Sequence, residues 1–158
     1  MKRVATIGVY GWTVEDWLEA LREADAALIV DIRQRRGVRG REYAWANAQR
    51  LETALEQAAI GYRHELTLAP TTEIRQVQYD EDRRQGVGKR SRQVASPEYV
   101  ARYRREILDR ADLDELVASL PDDGASVLLC VEHDAELCHR SLVAARLAEQ
   151  YGLEVRHL

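Results

Sequence analysis

The chain has no phenylalanine and only two cysteines among its 158 residues. Without phenylalanine, aromatic burial falls to three tryptophans and seven tyrosines. The cysteines, Cys130 and Cys138, stand eight positions apart in one motif. A secreted disulfide scaffold would spread more of them along a shorter chain, so free thiols are expected. No apolar run approaches the length that crosses a bilayer, and "MKRVATIGVYGW" lacks the apolar stretch and cleavage site of a secretory signal. A cytoplasmic protein with no membrane partner is expected. Internal repeats, low-complexity tracts and linkers are also missing, which with this length points to a single domain over residues 1–158.

What is present is a globular balance of 46% hydrophobic and 32% charged residues. The net charge of −4 argues against a nucleic-acid partner, but the average conceals clustering. Residues 33–41 hold five arginines and no acid, and residues 83–92 hold five basic residues and no acid. The two stretches read either as solvated loops or as a local positive field on an acidic body.

Strand and helix signals alternate along the chain. "VATIGVY" (4–10) is β-rich; Thr13 with Asp16 then opens a helix whose Val14, Trp17, Leu18 and Leu21 recur at helical spacing. "ALIVDI" (27–32) is a continuous apolar run of the kind buried in a parallel sheet. Ala44, Ala48, Leu51, Leu55 and Ala58 mark an amphipathic helix stopped by Gly61. "YRHEL" (62–66) alternates as a third strand, and "APTTEIRQVQ" reads as a short capped helix entering the second basic loop. Ser96 and Pro97 open one or two further helices that close at Pro121 to Gly124. "SVLLCVE" (126–132) is the fourth strand, "CHRSLVAARLAEQYG" its helix, and "LEVRHL" (153–158) the last strand. The pattern predicts a three-layer α/β domain with a mostly parallel central sheet of about five strands.

Ligands of such sheets gather beyond the carboxyl ends of the strands. That rule selects Gly8 to Gly11, Asp31 and Arg33, His64 and Glu65, and Glu132 to Arg140. Asp31 is either a working carboxylate or the salt-bridge partner of Arg33. Cys130 lies inside the fourth strand and reads as core. The following helix starts near Asp134, which leaves Cys138 either a packed apolar side chain or a thiolate in the helix N-terminal field. His139 and Arg140 in the first turns oppose the helix dipole unless an anion sits there. Zinc would draw on Cys130, His133, Cys138 and His139, but C-x2-H-x4-C-H is no established spacing and takes a ligand from mid-strand, so neither metal nor cofactor is expected. A phosphatase-type loop also fails, because residue 136 is glutamate where an arginine is needed.

The stretches "TIGVYGWTVEDW", "VDIRQRRGVRG" and "GVGKRSR", with the C-x-E-x5-C-H-R run of Cys130, Glu132, Cys138, His139 and Arg140, resemble the domain of unknown function 488 family over residues 4–158. Many members read T-I-G-H-S near the start, where this chain has Val9 and Tyr10, so no histidine role carries over. Position 133, often lysine or arginine in the family, is His133. The resemblance implies that Asp31, Arg33, Glu132, Cys138, His139 and Arg140 converge at one end of the sheet, and it implies no reaction.

The expected function is that of an enzyme, a hydrolase or lyase, on a phosphate-bearing substrate such as a nucleotide, DNA or RNA. Arg33 and Arg140 would hold phosphate, with Asp31 or Glu132 as general base or electrostatic stabiliser. His139 would act as acid or base, and Cys138 is a candidate nucleophile. Arg35, Arg36, Arg39, Arg41, Lys89, Arg90 and Arg92 would track a nucleic-acid backbone, with Tyr10, Trp12, Tyr43 and Trp45 available for stacking. The alternatives are a non-catalytic nucleic-acid-binding module and a protein-interaction domain. The enzyme reading requires Asp31 and Glu132 to face one open hollow at the sheet rim.

Overall fold

The computed structural model describes residues 1–88, 91–92 and 95–158. Five strands, β1 (Arg3–Ile7), β2 (Ala26–Asp31), β3 (Gly61–His64), β4 (Ala125–Leu129) and β5 (Val155–His157), form one sheet. Their order is β3-β2-β4-β1-β5 and every pairing is parallel. The helices are α1 (Val14–Glu23), α2 (Ala48–Gln57), α3 (Thr72–Gln85), α4 (Pro97–Glu106), α5 (Leu113–Ser119) and α6 (His139–Tyr151).

Side chains alternate across a strand, and this divides the core in two. Ile29, Val127 and Leu129 point to one face, where they meet Trp17 and Leu21 of α1 and Leu51 and Leu55 of α2. Val30, Ile32, Leu128 and Cys130 point to the other, against Ile74, Tyr99, Tyr103, Leu116, Val143 and Leu147 of α3 to α6. The three-layer α/β architecture follows directly. Strand β4 therefore lies between β1 and β2, whose chains leave toward α1 and α2, while its own leaves toward α6 on the opposite face. Neighbouring strands that diverge in this way open a crevice at their carboxyl ends.

The helix starts follow their caps. Thr13, Thr71 and Ser96 each accept a hydrogen bond from the backbone N–H three residues on, and Pro97 occupies the first turn of α4. Several boundaries depart from the sequence expectation, among them four that shape the site. Helix α2 ends before Gly61: Ala59 turns the chain at a φ of 58°, and Gly61 opens β3. Helix α3 runs on to Gln85 and absorbs Arg83 and Arg84, because Asp80 and Glu81 one turn earlier pair with them and Gly86 supplies the left-handed cap. The second basic stretch is therefore helix for its first part and not all loop. Strand β4 stops at Leu129, so Cys130 and Glu132 lie beyond the sheet. Helix α6 begins at His139 with Cys138 as its N-cap residue, after a single 3-10 turn over Ala135–Leu137. Among the described residues no helix is long and apolar enough to cross a membrane.

Candidate functional site

A hollow of about 900 Å³ opens at the carboxyl edge of the sheet, on the side of α3 and α4. The loop after β2 contributes Arg33, Arg35 and Arg39, and α3 contributes Arg75, Gln78 and Tyr79. The segment between α3 and α4 contributes Arg92, and the turn after β4 contributes Cys130, Glu132, Cys138 and His139. Tyr10 and Tyr99 complete its aromatic lining.

The turn after β4 is held from behind by Arg140, which is 1% exposed. Its Nε donates to Thr6 Oγ1 at 3.2 Å, Nη1 to the Glu132 carbonyl at 2.5 Å and Nη2 to the His133 carbonyl at 2.9 Å. Nη1 also lies 3.4 Å from Cys130 Sγ and 3.5 Å from Cys138 Sγ. Burial lowers its pKa to about 10. The expected phosphate-holding role of Arg140 is corrected here. The guanidinium does not line the hollow; its hydrogen bonds go to backbone carbonyls and the Thr6 hydroxyl, and the nearby Glu132 and Asp134 charges favour its charged form. Gly8 makes this packing possible, since a Cβ there would stand 1.9 Å from the Glu132 carbonyl oxygen.

Asp31 and Arg33 form a buried pair. Asp31 Oδ1 accepts from the Arg33 backbone N–H and Nε, and Oδ2 from Arg33 Nη2 and the Tyr62 hydroxyl at 2.6 Å. Arg33 Nη1 donates to the Ala46 carbonyl. Burial, then the bond to Asp31, pushes the Tyr62 phenol up to about 12. Four donors saturate the carboxylate, so Asp31 is no general base, and the two carboxylate contacts leave Arg33 a structural cation rather than a phosphate ligand. Strand alternation explains the separation from Glu132. Asp31 follows Ile29 toward the α1–α2 layer, whereas Glu132 follows Cys130 toward the hollow. The two carboxylates do not share a site.

The hollow has a different ionic centre, a buried Asp82–Arg92–Glu132 system. Arg92 Nε and Nη2 grip Asp82 at 2.6–3.1 Å, and Nη1 donates to Glu132 Oε1 at 3.1 Å. Burial alone would lower the Arg92 pKa; the Asp82 hydrogen bonds and the Glu132 charge raise it instead. Gln78 also donates to Asp82 and accepts from the Ser96 backbone N–H, which ties α3 to the start of α4. Arg92 is thus a wall residue, not a cation tracking a nucleic-acid backbone. Gln78 and Asp82 precede the second basic stretch, and the short capped helix expected over 69–78 ends before Asp82, whereas α3 runs on to Gln85. Their signal was the i, i+4 spacing on a continued helix.

His139 Nε2 donates to the Ile32 carbonyl at 2.7 Å, and its ring packs on Tyr103. Cys130 and Cys138 are joined as a disulfide at the floor of the hollow, which corrects the expectation of free thiols. In this form Cys138 is not a nucleophile. Cys130, one residue past the end of β4, and Cys138, the N-cap residue of α6, lie in the same core layer.

Of the loop cations, Arg35 and Arg39 are exposed at the mouth of the hollow. Arg36 turns away to the Tyr62 hydroxyl and Glu52. Arg41 is exposed outside the hollow, and Lys89 and Arg90 lie outside the described residues. Arg75, which sequence reasoning missed, donates to Gln34 and to the Tyr79 hydroxyl and lies over the Tyr79 ring. Tyr10 packs on Tyr43, while Trp45 packs on Trp17 in the core.

These features define an α/β protein with a cationic, aromatic-lined hollow at a sheet switch point. Residues 13–147 match the family described as domain of unknown function DUF488, and the chain belongs to that family. No curated protein and no solved structure matches the chain.

Two stability predictions follow from the packing. Asp31→Asn leaves Arg33 without its buried counter-charge, and urea unfolding should show a loss of about 3–5 kcal/mol. Gly8→Ala forces the Glu132 carbonyl away from Arg140 and should destabilise by about 1–3 kcal/mol in the same measurement. Wild-type midpoints in both variants would show that neither contact holds the fold.

Proposed function

We propose that the protein is an enzyme acting on a nucleotide-sized, phosphate-bearing substrate bound in this hollow. The observation that carries the reading is the convergence of Arg35, Arg39 and Arg75 with Tyr10 and Tyr79 on one cavity of about 900 Å³, in a chain of net charge −4. A volume of that order suits a small molecule, and arginine beside aromatic rings suits a phosphate carried on a planar ring. Phosphate charge would meet Arg35, Arg39 and Arg75 at the mouth, and the base would lie along Tyr79 or Tyr10.

Of the groups expected from sequence to move protons, Glu132 and His139 line the floor of the hollow, and Asp31 does not. Since the Ile32 carbonyl only accepts, His139 Nε2 carries the proton and its basic nitrogen is Nδ1. Glu132 is oriented by Arg92 and can stabilise developing positive charge or receive a proton.

A screen of nucleotides and short DNA and RNA oligonucleotides, read both by equilibrium binding and by product formation, tests this. Loss of Arg35 and Arg39 together should weaken binding by about 10–100-fold, the scale of charge-assisted hydrogen bonds, and raised salt should mimic the loss. Glu132→Gln should abolish turnover while circular dichroism and binding survive. Binding without turnover by the wild type would replace the enzyme with a non-catalytic nucleic-acid-binding module.

A further inference from the structure

We propose that the reduced protein binds a thiophilic divalent cation, with Zn²⁺ as its type, through Cys130, Cys138 and His139, leaving one coordination position open to the hollow beside Glu132. This goes beyond the phosphate-substrate reading and stands independently of it.

The donor set is already assembled. One ligand atom from each of the three residues lies within 4.8 Å of the other two, and all three side chains are buried. The Cα atoms of the cysteines are 7.3 Å apart, beyond the 4.4–6.8 Å usual for a disulfide. Two thiolates sharing one tetrahedral ion at bonds of about 2.3 Å sit roughly 3.8 Å apart, a separation this backbone spacing accommodates. The third donor is oriented as metal-bound histidines are, with one ring nitrogen donating to a main-chain carbonyl, here Ile32. Arg140 Nη1 approaches both sulfurs from behind, an N–H donor suited to sulfur that carries negative charge.

Cys130 stands one residue past the last paired position of β4, and its buried side chain lies with Cys138 in the core on the α4–α6 side of the sheet, so its position at the strand end supplies a ligand to the site. A set of two cysteines and one histidine with an open fourth position is the arrangement of catalytic rather than structural zinc, and all three residues line the cavity. Glu132 lines the same cavity without belonging to the donor set, where it can serve a water on the ion.

The oxidation states balance. A dithiol reductant delivers two electrons and two protons to the disulfide and becomes a disulfide itself. The two cysteine thiols then release two protons to solvent as the cation binds. Reoxidation by a disulfide oxidant re-forms the Cys130–Cys138 bond and expels the ion.

The test uses the full chain, reduced with a phosphine under anaerobic conditions and titrated with Co²⁺, then with Zn²⁺ against a chromogenic chelator. One ion per chain is expected, with a thiolate-to-cobalt charge-transfer band and the visible bands of a tetrahedral site. Cys138→Ser and His139→Gln, checked for folding by circular dichroism, should each weaken zinc by at least about 100-fold, more than the 10–100-fold lost when only an orienting group is removed. The disulfide form should bind neither ion.

The proposal is overturned if reduced wild type with two titratable thiols shows no charge-transfer band and yields zinc freely to the chelator. It is equally overturned if the oxidised protein or the His139→Gln variant binds as tightly as reduced wild type. Nucleotide binding through Arg35 and Arg39 needs no cation, so the two proposals fail separately.

Discussion

The site depends on one buried guanidinium. Arg140 fastens the turn after β4 to the sheet by gripping two consecutive carbonyls and the Thr6 hydroxyl, and nearly every group of chemical interest sits on that turn or at its end. Cys130, Glu132, Cys138 and His139 inherit their positions from it. Its hydrogen bonds go to carbonyls and a hydroxyl, none to a carboxylate, and burial lowers its pKa although the Glu132 and Asp134 charges oppose that shift. The arrangement is tolerable because four parts of the chain converge on it: the end of β1, Gly8, the turn itself and the first turn of α6. It also keeps a positive charge beneath the two sulfurs whether they are bonded to each other or not.

The remaining buried charges are organised so that few of them compete for a ligand. Arg33 and Asp31 satisfy one another within the α1–α2 layer, and Arg92 is clamped between Asp82 and Glu132. Such pairs contribute little net stability over an apolar replacement, but the loss of one member leaves a charge stranded in the interior. Their effect is positional. Arg92 joins the end of α3 to the turn after β4, closing one wall of the hollow, and the Asp31 pair fixes the start of the loop that carries Arg35 and Arg39. Arg35 and Arg39 stand exposed at the mouth.

This division explains what the sequence disclosed. The sheet, its helices and the strand-end location of the site were legible because apolar runs, N-caps such as Thr13 and Ser96, and the switch-point rule act locally or topologically. Which charge meets which was not legible. Asp31 and Glu132 both end apolar runs, yet Asp31, the last residue of β2, is buried with Tyr62 in the α1–α2 layer, while Glu132, past the end of β4, lines the hollow. Arg33 and Arg35 look alike in a basic stretch; one is buried on Asp31 and the other exposed, a difference made by the neighbouring Tyr62 and Ala46 across the fold. Asp82 and Arg92 were hidden for another reason. Their pairing depends on α3 running past Arg84, which local charge pairs favour and a basic composition disguises.

The same boundary logic bears on the cysteines. Cys130 follows Leu128 onto the α3–α6 face, where Cys138 also lies. Paired positions end at Leu129, though the Cys130 N–H still donates to the Ile7 carbonyl, and the backbone that follows has its carbonyls satisfied by Val9, Tyr10 and Arg140. The strand end thus places a core residue at the floor of a solvent-accessible hollow. Whatever molecule enters between Arg35 and Tyr79 meets sulfur, imidazole and carboxylate on the floor, so the chemistry available to it changes with the oxidation state of that pair.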